Sequence, residues 1–113
     1  MYVRIARFEG GSAEVIRSEA EEMRKGVEAA RHGDPSGHMP SELTRLTRRL
    51  EVFADADHGK VAVAVYCSTT EELDEVDRIM AAMSPRESGW GKRVSADTYE
   101  VVVDEVTSLR MAS

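Results

Sequence analysis

One cysteine, Cys67, stands among 113 residues. That excludes an intramolecular disulfide framework and most cysteine-based metal sites. No apolar run approaches the roughly 18 residues of a membrane span, and the start of the chain lacks the basic, apolar, small-residue pattern of a secretory leader. Basic residues are outnumbered: 15 Lys and Arg face 21 Asp and Glu, a net charge of −6. This balance argues against a phosphate-backbone partner, so neither nucleic acid nor membrane is expected. Large apolar side chains are also scarce. Leu, Ile, Val and Phe together number 23, a lean supply for a domain that must bury about two-thirds of its unfolded surface. The expectation is a soluble, cytoplasmic domain with a thin stability margin, for which oligomerisation is a cheap source of further burial.

What is present is ordinary globular composition, with 42% hydrophobic residues and 8 glycines, at the length of one domain. Residues 2–9 read as a first strand, stopped by Gly10-Gly11. Ser12 is placed to cap a helix over 13–32, whose apolar stripe is Ile16, Ala20, Met23, Val27 and Ala30. Gly33-Asp34-Pro35 ends it. Residues 33–47 read as an insertion, a loop followed by a short helix carrying Leu43 and Leu46. A strand over 48–55 then turns through Ala56-Asp57-His58-Gly59 into Val61–Cys67, the clearest strand of the chain. Thr69 and Glu72 have the spacing of a capping box for a helix with stripe Leu73, Val76, Met80 and Met83, closed by Ser84-Pro85. A polar loop over 84–93 holds Trp90, and a last strand is expected from 94 to 106. Residues 1–106 make the domain and 107–113 a loose tail.

The order is β-α-β-β-α-β, which predicts an α+β, ferredoxin-like fold: a four-stranded antiparallel sheet with helices on one face. Alternation assigns Val3, Ile5, Leu50, Val52, Ala54, Val61, Val63, Val65, Tyr99, Val101 and Val103 to the helix-covered face. The other face collects Tyr2, Arg4, Ala6, Phe8, Arg49, Glu51, Phe53, Ala62, Ala64, Tyr66, Thr98, Glu100 and Val102. That second set is too apolar for water, and a second identical chain lying sheet to sheet is the expected cover, leaving a lined cavity over the alanines.

Several residues on or near that face carry chemistry. Arg4 would anchor an anionic or enolate-like group, or pair with Glu51 or Glu100 across the sheet. Tyr66 would donate a hydrogen bond to a ligand carbonyl, or simply fill the interface. Phe8 and Phe53 would be pocket walls. Trp90, flanked by glycines, would either close over an aromatic ligand or pin its loop to the domain or to the dimer partner. Cys67 points with the valines and is expected to be inert. His32, His38 and His58 have no stiff metal-binding spacing and read as solvated residues; no metal or cofactor is expected. An RNA-recognition module would need aromatics where Val61 and Val63 stand, and a phosphate-cradling loop would not carry Glu9 before Gly10-Gly11.

The strand Tyr2–Phe8, the hairpin into Val61–Cys67, the helix start Thr69–Glu75 and the closing strand Tyr99–Val103 resemble the antibiotic biosynthesis monooxygenase-like domains of the dimeric α+β barrel superfamily. The resemblance spans most of 1–106 outside the insertion and includes no diagnostic catalytic motif. It implies a homodimer with a cleft for a small aromatic or anionic ligand. Three functions follow as expectations: cofactor-independent, monooxygenase-like oxidation; non-catalytic binding of a metabolite or protein; and haem binding, which needs a histidine to reach the cleft. The pocket expected in each case is lined by Arg4, Phe8, Phe53, Tyr66 and Trp90; the oxidation also needs a base, for which Glu51 and Glu100 are the nearest acids.

Overall fold

The computed structural model of the chain describes residues 1–33, 41–83 and 87–108. Its elements are β1 (Tyr2–Gly10), α1 (Ala13–Arg31), α2 (Ser41–Leu46), β2 (Arg49–Asp55), a 3-10 turn (Ala56–His58), β3 (Lys60–Cys67), α3 (Thr70–Met83), the short β4 (Glu87–Ser88) and β5 (Gly91–Glu100). Every pairing is antiparallel, in the order β2-β3-β1-β5-β4. The fold is therefore α+β, an open antiparallel sheet of four long strands with helices packed on it.

Local signals account for most element ends. The Ser12 hydroxyl accepts from the Val15 amide at 3.2 Å and starts α1. At α3 the Thr69 hydroxyl accepts from the Glu72 amide at 3.1 Å, while the Glu72 carboxylate accepts from the amides of Thr69 and Ser68 at 3.3 and 3.1 Å. This is the reciprocal capping box that the spacing predicts. Between β2 and β3, Gly59 adopts φ +66°, a left-handed conformation that a side chain resists. A Cβ there would also meet the Gly11 carbonyl oxygen at 2.8 Å. The short helix over Leu43 and Leu46 forms as expected, and both leucines are buried. The rest of the insertion, 34–40, and Ser84-Pro85 lie outside the described residues.

Strand register assigns the faces. Arg4 stands opposite Val65, Ala6 opposite Val63 and Phe8 opposite Val61; Leu50 and Val52 stand opposite Val65 and Val63. These side chains share one face with Cys67. They join Ile16 of α1, Leu43 and Leu46 of α2, Leu73 and Val76 of α3, and Trp90 in a single core. Val3, Ile5 and Arg7 fall on the other face, opposite Tyr66, Ala64 and Ala62. The expected faces of β1 and β5 are thus reversed: Arg4 and Phe8 point to the helices, whereas Val3, Ile5 and Tyr99 point away from them. The physical reason is a partner that alternation alone does not show. Asp77 of α3 stands over Arg4 and accepts from its Nε at 2.6 Å, so a guanidinium can occupy the helix side without an unpaired charge.

β5 also differs in extent, starting at Gly91 and ending at Glu100 instead of spanning 94–106. It begins early because the tight turn at Gly91 (φ +102°) brings the chain directly against Glu9. It ends early because its neighbour β1 begins at Tyr2; the last bond is from the Val101 amide to the Met1 carbonyl, 2.9 Å. Register slips between Arg7 and Phe8 leave Val94 as the extra residue of a bulge.

Candidate functional site

The face away from the helices forms a grid. Reading across β2, β3, β1 and β5, one row is Arg49, Tyr66, Val3, Tyr99; the next is Glu51, Ala64, Ile5, Asp97; the third is Phe53, Ala62, Arg7, Ser95. A fourth row, Asp55, Lys60, Glu9, Lys92, alternates in sign. The middle is apolar and low, because Ala62 and Ala64 stand between larger neighbours. Phe53 and Tyr99 rise at its margins, 53 and 48% exposed.

Polar chemistry concentrates at one corner. Arg49 Nη2 donates to Glu51 Oε2 at 3.2 Å, and its guanidinium lies 5.8 Å from the centre of the Tyr66 ring, within cation–π range. The hydrogen bond to Glu51 raises the Tyr66 phenol above its ordinary value, helped by partial burial and by the Glu51 charge. Tyr66 is accordingly held protonated beside Glu51, whose carboxylate is paired with Arg49. Across the sheet, Arg7 and Asp97 pair at 3.9 Å.

The five residues named from the sequence do not converge on one pocket. Phe53 and Tyr66 lie on the open face. Arg4 lies under α3, 2% exposed, with Asp77 on Nε and Met80 Sδ 3.7 Å from Nη1; Glu51 and Glu100 are not its partners. Trp90 packs with the core, so the glycine-flanked loop is pinned to the domain. Its carbonyl lies so close to Gly11 that a Cβ on Gly11 would meet the oxygen at 2.7 Å. A shallow groove of about 380 Å³ at the β2–β3–β1 end of the sheet is lined by residues of both faces, Phe8 and Phe53 among them, with Arg7, Asp55, Lys60 and Ala62. A smaller recess of about 130 Å³ lies between α3 and β5, beside Tyr2, Asp74, Thr98 and Glu100.

Alternation could not have picked out Asp77. Its only signal is an acid directly following Val76 on the buried stripe of α3. Burial pushes the Cys67 thiol up, and Glu72 pushes it further, so Cys67 stays protonated and unreactive. Both described histidines are exposed and engaged: His32 with Glu28 at 3.1 Å and His58 with Asp55 at 2.9 Å. The His58 hydrogen bond lowers the Asp55 carboxyl. His38 lies outside the described residues. Among the described residues no group of His, Cys, Asp and Glu is arranged to hold a metal ion, and no helix is long and apolar enough to cross a membrane. Compared with protein-family models, curated proteins and solved structures, the chain matches none of them.

Proposed function

We propose that the chain is a homodimeric binding module of the ferredoxin-like, dimeric α+β barrel kind, whose two open sheet faces pack together around a semi-apolar cleft for a small aromatic or anionic ligand. The observation that carries this reading is the sheet face on which no described helix packs, where Phe53 and Tyr99 stand 53 and 48% exposed around a low apolar floor of Val3, Ile5, Ala62 and Ala64. The order β2-β3-β1-β5, with helices following β1 and β3, supports the ferredoxin-like arrangement.

A second copy fits better than another partner because the face is self-complementary. It carries Arg7 and Arg49 together with Glu51 and Asp97, so a two-fold contact can match charges of opposite sign. Its size also fits. Four strands of about eight residues span roughly 27 by 19 Å, a projected 500 Å² before side-chain relief is counted, approaching the ~800 Å² per partner of a stable interface. Binding is favoured over monooxygenase-like catalysis because the acids of this face are paired with arginines, Glu51 with Arg49 and Asp97 with Arg7.

Sedimentation equilibrium tests the reading. The protein should be dimeric at micromolar concentration, and Phe53→Lys/Tyr99→Lys, which alters exposed side chains, should be monomeric with an unchanged far-UV spectrum. Titration of the dimer with 2-naphthoate, an aromatic anion, should shift the amides of Ala62 and Ala64. A wild-type monomer at high micromolar concentration overturns the reading.

A further inference from the structure

On the open face, the groove of about 380 Å³ includes Phe53, Ala62 and Arg7, which stand side by side on β2, β3 and β1. Neighbouring strands lie about 4.8 Å apart, so Phe53 and Arg7 are separated by about 10 Å with only a methyl group between them. Both flanking side chains are exposed, and Ala62 forms a half-buried floor. A ring resting on Ala62 therefore stands about 5 Å from Phe53, the spacing of an edge-to-face aromatic pair. A substituent on the far side of that ring points toward Arg7.

The cations of this face differ in how much of their charge is already used. Arg49 donates to Glu51 at 3.2 Å and lies over the Tyr66 ring. Lys60 stands in register between Asp55 and Glu9. Arg7 meets Asp97 through one Nη1 at 3.9 Å, the longest ion pair among the described residues. A guanidinium carries five donors in a planar fork, so that contact leaves Arg7 able to take a carboxylate through two parallel hydrogen bonds.

We propose that this groove takes an aromatic carboxylate, its ring on Ala62 against Phe53 and its carboxylate on the Arg7 guanidinium. The proposal rests on the reading of the open face as a binding face, and it names the ligand class and its anchor. A singly charged anion fits best, because Glu9, Asp55 and Asp97 stand around the one cation and would repel a second negative charge. An apolar ring is required because Phe53 and Ala62 offer it contact area and no hydrogen bond.

Titration of the ¹⁵N-labelled protein with 2-naphthoate, 2-naphthamide and acetate tests it. The naphthoate should shift the amides of Arg7, Ala62 and Ala64. Naphthamide has the same shape without the charge and should bind about tenfold more weakly. Acetate, which lacks the ring, should leave these amides unmoved at the same concentration. Arg7→Gln should weaken naphthoate about tenfold and change naphthamide by less than about twofold, so that the two ligands bind alike. Equal wild-type affinity for naphthoate and naphthamide overturns the anchor, as does acetate acting like naphthoate. Naphthoate binding that survives Arg7→Gln, or is lost with Arg49→Gln in its place, also overturns it; in each of these cases shifts at Ala62 and Ala64 leave the binding reading standing. No shift at Ala62 and Ala64 with naphthoate overturns both.

Discussion

Neighbouring residues of β3 meet different fates. Val61, Val63 and Val65 lie beneath helices that the chain itself supplies, and each is at most 3% exposed. Ala62, Ala64 and Tyr66 alternate with them and face a side where no described helix arrives; Ala62 and Tyr66 are half-buried there, and only the small Ala64, 1% exposed, is fully closed off. Polar groups differ in the same way. On the helix side a buried guanidinium reaches across to one acid on another element, Arg4 to Asp77. On the open side charges pair laterally within the sheet, Arg49 with Glu51 and Arg7 with Asp97, and leave the middle apolar. β3 is thus apolar on both sides, while the described helices cover only one of them.

The largest expected effect separates the faces by a single residue. Val63→Asp would place an unpaired carboxylate in the core and should destabilise by more than about 4 kcal/mol, leaving the chain unfolded. Ala62→Asp should cost the protomer only about 1 kcal/mol while abolishing association. Thermal melts by circular dichroism at low concentration, with sedimentation alongside, check both. Equal destabilisation by the two would erase the distinction between the faces.

The ion pair of the helix side gives an intermediate effect. Asp77→Ala leaves the buried Arg4 guanidinium with Met80 Sδ as its hydrogen-bonding side chain among the described residues, and should cost about 2 kcal/mol, moderated because the Asp77 side chain is 55% exposed. Arg4→Met keeps the volume without the charge and should cost less, about 1 kcal/mol or under. Urea denaturation orders the two; the reverse order would mean that Arg4 is stabilised by something other than Asp77.

That ion pair also marks where reading the sequence stopped working. Element identities were legible wherever a local rule applied: the Ser12 cap, the Thr69–Glu72 box, the turn ending at Gly59, and the Leu43–Leu46 helix. The faces of β1 were not, because both of its alternating sets mix apolar and polar residues. Choosing between them depends on Asp77, 73 residues away. β5 took its orientation from β1 and was misread with it. The two-residue β4 was missed because it exists only as the returning arm of the Trp90-Gly91 turn. Of the candidate site, Tyr66 and Phe53 were legible as open-face residues because β2 and β3 were read in the right register. Arg4 and Phe8 moved to the core together with their strand.

The smallest effect belongs to the open face. Tyr66 should ionise above the ordinary tyrosine value of 10.0, and Glu51→Gln should bring it back toward that value in a site-resolved titration followed by NMR. A raised phenol gives stability that is complete below that ordinary value and is lost as pH climbs through the folded one, so the contribution should fade only in strongly alkaline solution. Identical titration of Tyr66 before and after Glu51→Gln would show that the two do not interact.

Trp90 has a practical consequence. The chain's single indole lies 6% exposed in the helix-side core, while Tyr66 and Tyr99 occupy the opposite side of the sheet. Its fluorescence should shift to longer wavelength when the chain opens, yet barely respond when two protomers meet. Loss of structure and loss of association can therefore be followed in the same cuvette, by indole emission and light scattering, without an added label.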